Sequence, residues 1–274
     1  MREEIPLKDM QKISLEILKT IADICEEQDF RYFLIYGTLI GAIRHRGYIP
    51  WDDDVDIMMP RPDYDKLLAY LETYLANHPY LKVFNHDVCA AYPYMITRIS
   101  DDRYRIDMDN EKDYGMGIFI DIYPYDGLGD TKEEALAYGL KGDRLSSLCY
   151  QATRERFAIE NTTSFFRKLI KLPVFLFAKL CGKDIFQNKL SALARKKDYD
   201  ASRYVGCIVW LSGGEKDIFE RAWFDTYDRM PFEKYTFRVP KAYDTALRHI
   251  YGDYMELPPE KDRIGHHRYR VYKK

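Results

Sequence analysis

The sequence predicts an α+β fold: a mixed sheet with flanking helices and an additional helical region. Three observations predict it. Short apolar runs closed by Gly or Pro recur along the chain and read as strands. Stretches with apolar residues every three or four positions lie between them without a strict strand–helix–strand rhythm. The chain has 274 residues, 46% hydrophobic and 31% charged, enough to bury a sizeable core and too apolar to be disordered.

The elements follow in order. Leu7, Met10, Ile13, Ile17, Leu18, Ile21, Ile24 and Cys25 make one amphipathic helix. Tyr32–Tyr36 is an aromatic, apolar strand ending at Gly37, and Leu39–Arg44 is helical. Val55–Met58 is a second strand, and Asp63–Leu75 a helix with Pro62 near its first turn. Further strands are expected at Leu81–Phe84, Tyr94–Ser100 and Gly117–Tyr123. Thr131, with Glu134 three residues on, has a capping-box pattern and opens a helical stretch to about Phe157. Tyr204–Leu211 and Tyr235–Val239 read as strands, and Lys241–Tyr251 as a helix stopped by Gly252.

The charge balance, 42 Lys+Arg against 44 Asp+Glu for a net −2, argues against a nucleic-acid binder. Five scattered cysteines without a CxxC pair indicate neither a disulfide framework nor a zinc ribbon, which suits a reducing cytoplasm. The start, MREEIPLKDMQ, has no apolar core of a signal peptide. The longest uncharged run, Tyr32–Ile43, is 12 residues; a spanning helix needs about 20. The segment 161–183 stands apart, with five basic residues, no acidic ones and many large apolar ones. That composition suits a helix lying in a membrane interface; the alternative is a core helix with a solvated basic edge. The 24 tyrosines offer faces for sugars, bases or cationic head groups, although packing accounts for most of them.

The informative stretch is YGTLIGAIRHRGYIPWDDDVDIMMP, residues 36–60. Asp52, Asp53, Asp54 and Asp56 place four like charges in five residues, which a folded chain tolerates only with water or a cation. On a strand Asp54 and Asp56 face the same way, about 6.6 Å apart at roughly 3.3 Å per residue. Two such carboxylates suit Mg²⁺ shared with substrate phosphates. A solvated acidic turn is disfavoured by the apolar strand and Trp51 beside it. An EF-hand fails because Ile57 stands where its Gly belongs and Asp63 where its Glu belongs. A glycosyltransferase DxD site stays open.

Upstream, Gly37 and Thr38 close a strand and open a helix, where phosphate can approach backbone N–H groups, and Gly41 keeps the next turn open. Strand, Gly-Thr turn, helix, then a strand bearing Asp-x-Asp is the layout of the nucleotidyltransferase superfold. That fold needs a third carboxylate, and Asp121, a lone acid in the apolar run Gly117–Pro124, supplies it.

The stretch GTLIGAIRHRGYIPWDDDVDIMMPRPDYDKL is similar to the signature of the LicD family, which includes bacterial phosphocholine transferases and eukaryotic fukutin-type sugar-phosphate transferases. FIDIYPYDG and LRHIYGDYMELPPEKDR resemble that family too, so the likeness spans nearly the whole chain. The resemblance implies that Asp54, Asp56 and Asp121 hold Mg²⁺ (or Mn²⁺) as catalytic residues, that Asp52 assists, and that Asp53 is variable. It implies a CDP-linked donor such as CDP-choline, an acceptor hydroxyl on a cell-surface glycan or its lipid-linked precursor (teichoic acid or lipopolysaccharide), and CMP as product. On this reading 1–130 is a nucleotidyltransferase-like catalytic core, 131–203 a helical region and 204–274 a C-terminal part completing fold and site. The protein is expected in the cytoplasm, with 161–183 reaching the inner face of the membrane.

Around the acids, Gly37, Thr38 and Gly41 are candidates to cradle phosphate, and Arg44 to clamp it or to pair with the acids. His45 is a candidate proton carrier or partner of a metal ligand. Trp51 is a candidate to stack on a base or cap a cationic head group, with packing as its alternative. Arg98, on a predicted strand, is a weaker candidate for acceptor phosphate. The tail KDRIGHHRYRVYKK carries six basic residues against one acidic, with Arg263 and His266 as candidates to close over the donor. The rival functions are a nucleotidyltransferase using an NTP on a small molecule, a DxD glycosyltransferase, and a non-catalytic choline- or glycan-binding protein. The last has no need of three acids at one place.

Overall fold

The computed structural model describes residues 4–108, 112–157, 165–210, 214–265 and 269–274, with the side chains of 165–170 left aside. Helix α1 (Leu7–Glu27) buries Leu15, Leu18, Ile21 and Ile24 on the stripe that its periodicity marks, and packs against the main sheet. Strand β1 holds only Phe33–Leu34, shorter than the expected Tyr32–Tyr36. The cause is Tyr36, whose φ of +51° turns the chain into helix α2 (Tyr36–Ile40) three residues before the expected Leu39. A wide turn at Gly41–His45 continues α2 and stops at Arg46, itself left-handed at φ +58°.

Strand β2 (Asp56–Pro60) leads into helix α3 (Arg61–Tyr74), with Pro62 in its first turn. Strands β3 (Leu81–Phe84), β4 (Thr97–Asp101) and β5 (Tyr104–Met108) follow. Strand β6 (Ile118–Gly129) has 12 residues, all buried, and runs well past the expected Tyr123. Pro124 and Gly127, residue types that usually break strands, do not end it: Pro124 keeps its place opposite Met59, and Gly127 lies against the backbone of Asp198, where a larger residue has no room.

Helix α4 (Lys132–Thr153) starts as its capping pattern predicts: the Thr131 hydroxyl accepts from the Glu134 N–H at 3.2 Å. Helices α5 (Phe165–Cys181) and α6 (Lys183–Ala194) pack against α4. Strand β7 is confined to Tyr204–Gly206, because the chain turns at Cys207, whose carbonyl accepts from the Trp210 N–H at 3.0 Å. Strand β8 (Phe219–Glu220), the hairpin of β9 (Tyr227–Phe232) and β10 (Tyr235–Pro240), helix α7 (Tyr243–Tyr251) and strand β11 (Tyr269–Lys273) complete the chain. Gly252, at φ +73°, ends α7 as expected.

The main sheet runs β1-β2-β6-β4-β3, with β2 and β6 parallel and the other pairs antiparallel; β7 and β8 extend it beside the second half of β6. This mixed sheet among helices is the α+β arrangement expected. Strand β11 pairs with β5, so the last residues lie beside the middle of the chain.

Candidate active site

Strand register brings the distant acid to the first motif. Asp56 opens β2 directly opposite Asp121 on β6, and Asp121 lies directly opposite Arg98 on β4. Residues in register across a sheet share a face, so the row Asp56–Asp121–Arg98 presents side by side on three strands. The ladder reaches one residue further, where the Asp121 N–H donates to the Val55 carbonyl at 2.8 Å. All three side chains are buried. Arg98 Nε donates to Asp121 Oδ1 at 2.7 Å, and its guanidinium is held over the rings of Phe119 and Tyr94 at 4.2 and 5.0 Å. Asp121 therefore has a fixed counter-charge inside the protein.

Asp56 does not. Its Oδ1 is buried with no hydrogen-bond partner among the described residues. Burial pushes its carboxyl well above the usual range, and the charges of Asp54, Asp121 and Asp52 push it further, against the pull of Arg98. An orphaned buried oxygen among like charges fits a missing positive charge. The backbone of Asp56 is fixed independently: its N–H donates to the Thr38 hydroxyl at 2.9 Å, tying β2 to α2.

Before β2 the chain is irregular, so Asp54 leads into the strand instead of lying on it. Asp52, Asp53 and Asp54 each bring a carboxylate oxygen to within 4.8 Å of the others. Side chains from distant elements hold the backbone of this turn. Gln11 Nε2 donates to the Asp52 carbonyl at 2.8 Å, and the Tyr269 hydroxyl to the Asp53 carbonyl at 2.9 Å. A side-chain carbon on Gly37 would come within 2.8 Å of Asp52 Oδ2, so only glycine there lets the Asp52 carboxylate approach the start of α2. The donors gathered here are carboxylate oxygens, the hard ligands that Mg²⁺ and Mn²⁺ prefer. The residues present fit a divalent cation.

A second group of expected residues forms one cluster beside the first. Arg44 Nε donates to His45 Nε2 at 3.0 Å. His45 meets Trp51 edge-on, with centroids 6.5 Å apart, and the Arg263 guanidinium lies 5.7 Å from the Trp51 ring. Burial, then the Arg44 charge, holds His45 below the ordinary imidazole range, which favours the neutral ring as acceptor. Arg44 Nη1 also donates to the Tyr254 and Glu256 carbonyls at 2.5 and 3.2 Å, so it fastens the loop after α7 to the turn that carries the motif. Arg263 Nε donates to the Pro258 carbonyl at 2.9 Å. Gly41 leaves room for the Gly47 carbonyl, and the Gly47 N–H closes that turn by donating to the Gly41 carbonyl at 3.3 Å. His266 lies outside the described residues.

Some contributors carry no readable motif. Tyr36 sits at the elbow before Gly37 in a left-handed conformation, costly for a bulky residue, and is held by Tyr123 edge-on and by a hydroxyl contact with Tyr125 at 3.1 Å. Tyr251, at the end of α7, keeps 45% of its surface open. The protein packed around it, and then the charges of Asp56, Asp217, Asp52 and Asp54, raise its phenol.

Residues 29–143 match the family described as LicD/FKTN/FKRP, nucleotidyltransferase domain. The chain is 33% identical over 276 aligned positions to the lipopolysaccharide cholinephosphotransferase LicD of Haemophilus influenzae, covering 98% of this chain and 99% of that one. Shorter likenesses reach uncharacterized proteins of Rickettsia typhi, 34% identical over 58 residues (21% of this chain, 19% of that one), and of Rickettsia prowazekii, 38% over 48 residues (18% of each). With a relative of this identity matched end to end and Asp56 in register with Asp121 across the sheet, the chain belongs to the LicD family, a transferase of phosphorus-containing groups.

Proposed function

We propose that the chain transfers phosphocholine from CDP-choline to a hydroxyl of a cell-surface glycan or its lipid-linked precursor and releases CMP, with Mg²⁺ bound by Asp54, Asp56 and Asp121 and assisted by Asp52. The observation that carries this reading is the buried Asp56 oxygen, without a hydrogen-bond partner among the described residues, on a residue in register with Asp121. The full-length likeness to a lipopolysaccharide cholinephosphotransferase supports the phosphocholine and the glycan acceptor. The cation, where Mn²⁺ also serves, supplies charge neutralisation at the diphosphate and lowers the cost of ionising the acceptor hydroxyl.

The chain's own groups do the positioning. Arg44 and Arg263, fastened to backbone carbonyls beside Trp51, are the cations offered to the donor's phosphates, with the Gly37 and Thr38 backbone as the remaining candidate cradle. Trp51 and Tyr251 offer aromatic faces for the choline cation or the cytosine ring. The acceptor oxygen forms a bond to the phosphorus that bears choline, the bond from that phosphorus to the bridging oxygen breaks, and CMP leaves. The hydroxyl proton passes to a carboxylate of the cluster or to solvent. Arg98 holds Asp121 in place through the charge-assisted bond from its Nε.

The test is incubation with a panel of CDP-linked donors and Mg²⁺, with CMP measured in Asp54→Asn, Asp56→Asn and Asp121→Asn alongside the wild type. CDP-choline is expected to give CMP, chelation to stop it, and each variant to lose at least about a hundredfold. Pyrophosphate from an NTP would point to nucleotidyl transfer, and turnover of sugar nucleotides alone to a glycosyltransferase.

A further inference from the structure

Helix α5 turns its apolar side outward. Leu172, Leu176 and Leu180 are spaced by four, so they stack along one line of the helix. They are 39, 57 and 88% exposed, and Phe177, beside that line, is 54% exposed. The opposite side is committed: Phe175 and Ala178 are buried, and Ala178 shares a small core with Cys149 of α4 and Phe186 of α6. The helix is thus held to the protein by one face while its leucines are presented to the outside. Four large apolar side chains on one solvent-facing helix are more than scattered surface residues account for.

The charges select the occupant. Residues 161–183 contain five Lys and Arg and no Asp or Glu. Of these, Lys183 is paired with Asp184 at the start of α6, while Lys171 and Lys179, the latter with its ammonium 5.7 Å from the Phe175 ring, are exposed within α5. A second copy of this face would bring like charges together, whereas an anionic bilayer surface takes up leucines and lysines at once. No helix among the described residues is long and apolar enough to cross a membrane, so the contact lies in the plane of the interface. We propose that α5 is an interfacial anchor that docks the protein on an anionic lipid surface. The inference deepens the functional reading in one respect: a lipid-linked acceptor is met at that surface. The binding itself does not depend on catalysis.

The test is flotation of the full chain with vesicles of phosphatidylglycerol and phosphatidylcholine in equal parts, and with phosphatidylcholine alone. The wild type is expected to float with the anionic vesicles and to do so less at high salt. Leu176→Glu/Leu180→Glu is expected to weaken partition at least about tenfold, and Lys171→Glu/Lys179→Glu to abolish the preference for anionic lipid. Circular dichroism, and CMP release with a soluble acceptor, check that both variants are folded. Should CMP release be absent in every protein, the functional reading fails while flotation still decides the anchor. Failure of the wild type to float, equal flotation of the variants, or a wild-type dimer in light scattering that the leucine variant splits, would overturn the proposal.

Discussion

Asp56 is a carboxyl in the wrong solvent, held against ionisation by burial and its acidic neighbours until something positive joins it. Replacing it by Asn removes a buried repulsion as well as a ligand. Without metal, Asp56→Asn should therefore melt at or above the wild-type temperature, while the rise produced by Mg²⁺ disappears. A ligand at a hundred times its Kd adds about 2.7 kcal/mol, so the lost rise is measurable in a thermal melt. An undiminished Mg²⁺ effect in the variant would remove Asp56 from the ligand set. Arg98 predicts the opposite behaviour. Arg98→Leu strands the Asp121 carboxylate inside the sheet and should cost about 3–5 kcal/mol in urea unfolding. Arg98→Leu/Asp121→Asn should recover most of that; no recovery would mean that Arg98 acts through its ring contacts alone. The acids were legible because clustered or lone carboxylates in apolar sequence are costly without a reason to be there. The partnership of Arg98 with Asp121 was not, because it rests on the register of β4 against β6, which no local pattern encodes. Thr38 was legible as a site residue, but its hydroxyl accepts from Asp56 across the turn, a contact that follows from the meeting of α2 and β2.

Elements position these residues through a few joints, and each joint can be tested. Thr38→Val leaves the buried Asp56 N–H without an acceptor and should cost about 1–3 kcal/mol, with a fall in CMP release that Thr38→Ser restores. Equal stability of Thr38→Val and the wild type would show that α2 does not set the place of β2. Further out, Glu26 at the end of α1 takes two hydrogen bonds from Arg229 of β9, at 2.9 and 2.7 Å. Those bonds hold its carboxyl below the ordinary range against the opposing effect of burial. A carboxylate with a depressed folded pKa contributes in full above its unfolded value, near about 4.3, and loses that contribution as pH falls through the folded value. The stability gap between the wild type and Glu26→Gln, about 1 kcal/mol at neutral pH for a partly exposed pair, should therefore close on acidification. A gap that widens in acid would reverse the assignment. α1 and α4 were readable because periodicity and a capping box are local signals. β9 was not: its outer positions are Tyr, Arg and Pro in a two-stranded hairpin with little apolar alternation. β6 was under-read because Pro124 and Gly127 have tertiary roles that override their usual meaning as breakers.

At the scale of the molecule, the chain closes on itself around the motif. β11 lies along β5 and buries Val271 beside Ile106; the Ile5 N–H donates to the Val271 carbonyl at 2.8 Å, and the Lys274 N–H to that of Arg103 at 3.0 Å. Tyr269, the first residue of that strand, donates to the Asp53 carbonyl. The final residues thus brace the acidic turn without supplying an acid to it. A chain ended after residue 268 keeps every candidate ligand yet loses this brace and exposes the apolar partner of Val271. Its melting temperature should fall, and its Mg²⁺ affinity, followed by calorimetry below the melt, should fall with it. Tyr269→Phe separates the two effects. It keeps the strand and its packing, removes only the hydroxyl that meets Asp53, and should weaken Mg²⁺ binding by about three- to tenfold, the worth of one hydrogen bond of roughly 1 kcal/mol. Should Tyr269→Phe bind Mg²⁺ as the wild type does while the shortened chain does not, the tail acts on the site through stability alone. Weakened binding in both places the preorganisation of the acids in a contact between residues 216 positions apart in the sequence.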